Sequence, residues 1–313
     1  MNSKKPTLDY DTKRNIVGYF FLLPSLFFTV CFLIYPFLQS VGLSFTDWIG
    51  TGAPVHFTGL ENYDYVINND EYWRSLRVNI IFAISVTIIQ TLLGFIFAYI
   101  LFNIKGHWQD FFKTTLFLPV ILPISIIAVM WRFFLSPYTG IINTTLHALG
   151  LDFLIHGWIG EKSTALGTLV FVNTWQYIGF TMVIFLIAMQ NISPSVLEAA
   201  QVDGANESAR FYHFIIPLTI RSTETNVILS LSGSMKAFAL FYMLTGGGPG
   251  THTKVVSMLI LETAFSYFHY NRALAMAVIL FLIITVMTLI TRYIFNKLDH
   301  ENETPGKKRR ANK

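Results

Sequence analysis

The chain has 313 residues, 53% of them hydrophobic and only 13% charged, with a mean hydropathy of +0.52. Soluble domains carry about 25% charged residues, so this composition argues against a soluble enzyme or binding module and for a membrane protein. The net charge of +4 sits in tails and loops rather than on a folded basic surface, which argues against nucleic acid, and the lone cysteine, Cys31, leaves no disulfide framework and no Cys-based metal site.

Taken in order, the sequence predicts a tail over residues 1–15, a transmembrane domain over 16–296 and a basic tail over 297–313. Six apolar runs are long enough to cross a bilayer, which takes about 20 helical residues. They are Ile16–Val41, Val78–Phe102, Thr114–Leu135, Ala165–Met189, Thr225–Leu244 and Leu274–Phe295. The first follows Lys13-Arg14, lacks a small-residue cleavage site and is too long for a signal-peptide core, so it is expected to be retained. Continuous apolar runs are helices, not barrel strands. Pro24 and Pro36 in the first run, and Pro119 and Pro123 in the third, predict kinks. The first connecting loop, about Gly42–Arg77, is expected to hold a short helix near Asn68–Leu76.

Lysine and arginine set the orientation. With the N-terminus inside, 15 basic residues fall in inner loops and tails and 5 in outer loops, with Arg132 and Lys236 left in the spans. The bias predicts that both termini and the segment Ser193–Pro217 are cytoplasmic.

That segment, SPSVLEAAQVDGANESARFYHFIIP, is the longest polar interruption of the second half. It reads as two short helices around a turn. Pro194 suits a first helical position after Ser193, or Ser195 and Glu198 form a capping box. Val196, Leu197, Ala200 and Val202 give the first helix an apolar side, and Gly204 ends it. Asn206 can cap the second helix, Glu207–Phe214, before Pro217. On shape alone this is a surface helical hairpin. The residues Glu198-Ala199-Ala200, Gly204 and Ile216-Pro217 closely resemble the EAA motif of ABC-importer permeases. The resemblance implies a cytoplasmic coupling helix docked in a groove of an ATPase subunit, with Glu198, Ala199, Ala200, Asp203, Gly204 and Pro217 in the coupling role.

Gly246-Gly247-Gly248-Pro249-Gly250 is not a phosphate-binding loop, because no Lys-Ser or Lys-Thr pair follows at the needed spacing. LTGGGPGTHT, with Glu262-Thr263-Ala264-Phe265 after it and Leu23-Pro24-Ser25 through Ser44-Phe45-Thr46-Asp47 at the start, resembles the sugar-transporting branch of these permeases from about residue 17 to 296. The resemblance places Gly246, Gly247, Gly248 and Pro249 where an outer loop meets a substrate-binding protein, with glycines that let the loop change shape.

None of the eight histidines pairs at metal-ligand spacing, and no span carries a Ser–His or paired-Asp set, so neither metal nor catalytic chemistry is expected. Polar residues within spans are the stronger signal, because each is costly in hydrocarbon. Asn173, Tyr177, Phe180 and Thr181 share a helix face, with Gln176 beside it. They either tie helices together or bind a sugar through amides and aromatic faces. Lys236 lies mid-run, where its stem of about 6 Å cannot snorkel out of a core about 30 Å thick. It faces either a water-filled cavity, where it would suit an acidic sugar, or a partner carboxylate. Phe238, Phe241 and Tyr242 follow, as stacking platforms or as packing.

The expected fold is therefore an all-α membrane protein with six transmembrane helices, of the type I ABC importer permease kind. The resemblance implies half of a translocation pathway for a sugar or oligosaccharide, possibly acidic, in a bacterial cytoplasmic membrane. It implies a second homologous permease, two ATP-binding-cassette subunits that hold ATP and Mg, and an external binding protein, with no cofactor and no catalysis in this chain. The pathway residues are then Asn173, Gln176, Tyr177, Thr181, Lys236 and Tyr242. The competing reading is a self-sufficient secondary transporter of a small polar solute, against which no Asp or Glu lies mid-run.

Overall fold

Proline sets the shape of the helices. The computed structural model describes residues 10–303 except 51 and 53, so residues 1–9 of the expected N-terminal tail and the basic run Lys307–Arg310 lie outside the described residues. Among the described residues the chain is helical, with one isolated bridge, Thr46 to Phe57, in place of a sheet. The residues up to Asn68, with Thr263–Val278, form one compact unit; Asn69–Glu262, with the residues from Ile279 on, form a second.

In the first unit, α1 (Tyr10–Thr29) runs into α2 (Tyr35–Leu43) through a widened turn, Val30–Ile34, in which the Tyr35 N–H donates to the Val30 carbonyl five residues back. The ring of Pro36 would crowd the carbonyl four residues before it, and the wide turn gives it room. The expected kink is thus an added residue in the turn. Large side chains along this helix face outward, with Phe20 71% and Phe32 74% exposed, as a lipid-facing helix requires. Beyond α2, the buried Asn62 of α3 (Glu61–Ile67) donates to the carbonyls of Ser44 and Thr46 and accepts from Asn271. One carboxamide thereby gathers three segments of the unit.

The second unit opens with α4 (Asp70–Asn103), capped by Asn69 Oδ1, which accepts from the Tyr72 N–H at 3.0 Å. The separate helix expected near Asn68–Leu76 does not exist. No Gly or Pro falls between Asp70 and Gly94, so nothing stops the helix, and it is continuous with the expected span. The expected third span is two helices, α5 (His107–Ile121) and α6 (Ile124–Phe134), bent by 99°. Leu122, at ψ 134°, is held extended by the ring of Pro123 that follows it. Pro119, by contrast, is carried within α5. Next come α7 (Ile141–Ala148), α8 (Ala165–Gln190), α9 (Pro194–Val202), α10 (Glu207–Arg210) and α11 (Ile216–Leu218). The helix expected over Glu207–Phe214 widens at Phe211–Ile215, where the Ile216 N–H donates to the Phe211 carbonyl. Pro217 stands in the same register to this turn as Pro36 to the first.

The expected fifth span is also broken, into α12 (Ile220–Met235) and α13 (Ala239–Leu244). Within the expected outer loop Thr245–Arg272 lies a further apolar helix, α14 (Val256–Phe265), before the long α15 (Tyr270–Glu303). Among the described residues four helices are long and apolar enough to cross a membrane, or five if the bent pair α5–α6 is one span.

The second unit packs around α4 and α8. Close approach depends on two glycines. A Cβ on Gly94 of α4 would lie 2.5 Å from Thr181 Cγ2, and one on Gly179 of α8 would collide with the Leu116 carbonyl of α5. Two apolar layers result. One gathers Phe82, Val86, Ile127, Leu169, Val172 and Phe241; the other gathers Ala98, Leu101, Met182, Phe185, Met189 and Ile215. Along α4 and α8 most of the buried residues between these layers are polar: Thr87, Gln90, Asn173, Thr174, Gln176 and Thr181.

Candidate functional site

Between the two layers lies a cavity of about 650 Å³. Its wall is built from α4 (Gln90), α8 (Asn173, Tyr177, Phe180, Thr181), α12 (Asn226, Ser230, Ser234) and the break after α12 (Lys236, Phe238), with Val120 and Ile124 from α5 and α6. Helical spacing explains the α8 contribution, since residues four apart stack on one face. Gln90 ties the wall together. Its Nε2 lies 3.2 Å from Asn173 Oδ1 and 3.3 Å from the Asn173 carbonyl, and its Oε1 accepts from Ser230 Oγ at 2.9 Å. Three helices thus share one polar network: Asn173 ties α8 to α4, as the first of its two expected roles has it, and it also lines the cavity. Asn226, 2% exposed, lines the cavity, and its Nδ2 has no hydrogen-bond partner among the described residues.

Lys236 does not lie within a helix. It caps the C-terminus of α12, where the last amides bond three residues back, Lys236 N–H to Gly233 and Ala237 N–H to Ser234. The chain unwinds there, and the lysine lines the cavity exposed, with no ion pair among the described residues. Two expected lining residues lie elsewhere. Gln176, 1% exposed, directs Nε2 to the Leu122 carbonyl at 3.5 Å, at the α5–α6 break, because its register faces α5 rather than the cavity. Tyr242, 55% exposed, is outside the lining and stacks on Phe238 at 5.1 Å. Phe241 is buried in the first apolar layer, so it is packing.

The segment at the other end of α8 has one inward and one outward side. The α9 end is a Schellman turn: the Ala205 N–H donates to the Ala200 carbonyl and the Gly204 N–H to Gln201, with Gly204 at φ +84°. Asn206 Oδ1 caps α10 through the Ala209 N–H at 2.8 Å. The α9 helix starts at Pro194 with Ser193 before it, the first of the two expected starts, but no side-chain cap forms and the Ser193 and Ser195 hydroxyls bond each other instead. Leu197 and Ala200 face inward, whereas Val202 is 88% exposed. The apolar side is therefore narrower than expected. Glu198, Ala199, Asp203 and Gly204 are exposed, so one alanine of the pair, Ala199, is open to a partner and the other, Ala200, is buried.

The glycine loop after α13 is closed upon itself. Thr253 Oγ1 donates to the Gly248 carbonyl at 2.6 Å and lies 2.8 Å from Thr245 Oγ1. Gly246, Gly247 and Gly250 have φ +60°, +86° and +60°, a region that glycine enters without strain and that this turn requires. Lys254 then bridges Glu71 of α4, at 2.8 Å, and Glu262 of α14. Burial pulls the Lys254 ammonium toward neutrality, but the hydrogen bonds it donates to both carboxylates outweigh this and its pKa rises.

Residues 70–300 match the family of binding-protein-dependent transport system inner membrane components. The chain belongs to this family. The permease is 32% identical to the probable ABC transporter permease protein YurN of Bacillus subtilis, over 90% of this chain and 97% of that one. It is 32% identical to AmyD of Thermoanaerobacterium thermosulfurigenes, a probable starch degradation products transport system permease, over 92% and 97% of the two chains. Its fold matches a chain of the bacterial alginate ABC transporter in complex with an alginate-pentasaccharide-bound periplasmic protein, with a TM-score of 0.80, 21% identity and coverage of 93% and 98%. The type I importer permease fold follows. Among the described residues no group of three His, Cys, Asp or Glu is placed to hold a metal.

Proposed function

We propose that this permease forms half of the membrane pathway of an ATP-driven importer of sugars or oligosaccharides. The observation that carries the reading is the cavity itself. It combines carboxamides and hydroxyls, which match sugar hydroxyls, with Tyr177, Phe180 and Phe238, whose faces suit the apolar side of a pyranose. The names of relatives agree: AmyD, the multiple sugar-binding transport permease MsmF of Streptococcus mutans and the lactose permease LacF of Rhizobium radiobacter.

Asn173, Tyr177, Thr181, Lys236 and Asn226 are the residues that meet the sugar. Lys236 brings an unpaired cation to the wall, so a uronate oligosaccharide is the preferred cargo. In the assembly a second homologous permease supplies the other half of the pathway. Two ATPase subunits bind ATP and Mg, and an external binding protein delivers cargo at the Gly246–Pro249 loop. The chain crosses the membrane six times, with α12 and α13 together as the fifth crossing. Both termini and α9–α11 lie in the cytoplasm, a placement that the distribution of Lys and Arg supports. There Glu198, Ala199, Asp203 and Gly204 form the outer side of the coupling helix, while Ala200 and Pro217 hold it to the bundle.

Affinity purification tests this reading. The wild-type permease should bring down an ATPase subunit, and Glu198→Lys should lose it while the permease still elutes as a single species. A purified chain that moves solute with no ATPase would instead establish a secondary transporter. That alternative has no acidic residue in the cavity wall to couple ions.

A further inference from the structure

The break between α12 and α13 frees carbonyls that a continuous helix would satisfy, and the low-dielectric interior makes orphaned ones costly. Met235, the last residue of α12, is fully buried, so water cannot serve its carbonyl. Asn79 of α4, also fully buried, donates to it through Nδ2 at 3.1 Å. The same carboxamide accepts, through Oδ1 at 2.8 Å, from the N–H of Val256, the first residue of α14. One side chain therefore caps the end of one helix and the start of another. The next carbonyl of the break but one, that of Ala237, takes the Ser257 hydroxyl at 2.9 Å. Both donors come from outside the broken helix and bracket Lys236.

We propose that Asn79 is a positioning residue for the cavity: by holding the Met235 carbonyl and the Val256 N–H together it keeps the chain unwound at Lys236, so that the lysine stands in the cavity wall. Asn79 is absent from the lining and cannot touch cargo. It acts through the break. Without its donor, the Met235 carbonyl gains most by pairing with the Ala239 N–H, which continues α12 through the break and turns position 236 away from the cavity. The proposal rests on the cavity being the pathway, but its geometry can be read without any cargo.

The test is thiol labelling in the detergent-solubilised intact transporter, with Cys31→Ser as background. Lys236→Cys and Tyr177→Cys are each reacted with an anionic methanethiosulfonate reagent, with and without Asn79→Ala. Tyr177 lines the same cavity from α8, away from the break, and reports general loosening. The expected result is a fall of about fivefold or more in the rate at Lys236→Cys, as loss of one buried donor implies, with the rate at Tyr177→Cys held. Equal changes at both positions, or none at either, would overturn the proposal. Should Asn79→Ala fail to fold, Ser257→Ala decides: a smaller fall confined to Lys236→Cys supports the proposal, and an unchanged ratio overturns it. Because no sugar enters the assay, a mistaken cargo assignment leaves its outcome intact.

Discussion

Gln90 on α4 and Asn173 on α8 meet at 3.2 Å, side chain to side chain, between two apolar layers. Through the same carboxamide Ser230 of α12 is bound, so three of the helices that line the cavity are cross-linked at its wall. Replacement by Gln90→Leu keeps the volume and removes both links. Hydrogen bonds of this kind in membrane helices are each worth about 0.6 kcal/mol, so the loss should be about 1 kcal/mol. Thermal unfolding of the purified assembly should shift downward. An unchanged midpoint would mean that the network carries no stability.

Gly179 presents a backbone surface to the Leu116 carbonyl, whereas Gly167, on the same helix, has open space where a Cβ would stand. Gly179→Ala forces α5 away from α8 and should cost about 1–3 kcal/mol. Gly167→Ala should be neutral or slightly stabilising, since alanine is the better helix former by about 1 kcal/mol. Comparison of the two melting curves separates packing from propensity. Equal effects would refute the close contact.

Lys236→Met keeps the apolar stem and deletes the charge. Uptake of a uronate oligosaccharide should drop about tenfold, the size of one charge-assisted hydrogen bond, while uptake of a neutral oligosaccharide holds. A parallel loss for both cargoes would assign Lys236 to structure rather than selection.

His147, in the last turn of α7, and Asp152, just beyond it, lie 2.6 Å apart on the surface. The hydrogen bond that the imidazole donates to Asp152, aided by the negative charge of that carboxylate, raises the His147 pKa above its ordinary 6.5. A raised value means that the pair contributes most below the unfolded histidine's pKa and is lost as pH rises through the folded one. The imidazole titration followed by NMR should move to lower pH in Asp152→Asn. A titration that stays in place would show the contact to be unformed in solution.

Much of this architecture is written locally. Pro123 dictates the extended Leu122, Gly204 the end of α9, Asn206 the cap of α10 and the apolar runs the helices themselves, because each depends on neighbours within a few residues. The α8 face of Asn173, Tyr177 and Thr181 is legible for the same reason, as a consequence of helical spacing. Asn79, Gln90 and Asn226 also carried a signal, being carboxamides within the second and fifth apolar runs. Their roles were not legible, because their partners lie far along the chain: Asn79 reaches a carbonyl 156 residues away and Gln90 a side chain 140 residues away.

The sequence by itself determined a polytopic helical chain of the importer-permease kind, the helix end at Gly204 with the cap at Asn206, and the shared α8 face of Asn173, Tyr177 and Thr181. Only the tertiary structure decided that the third and fifth runs break, that Lys236 stands at such a break, that Gln176 and Tyr242 leave the cavity and that Thr253 bridges the glycine loop. The physical reason is that a helix in an apolar interior can unwind only where other segments supply partners for its freed carbonyls. Which segments do so is settled by packing among residues distant in sequence.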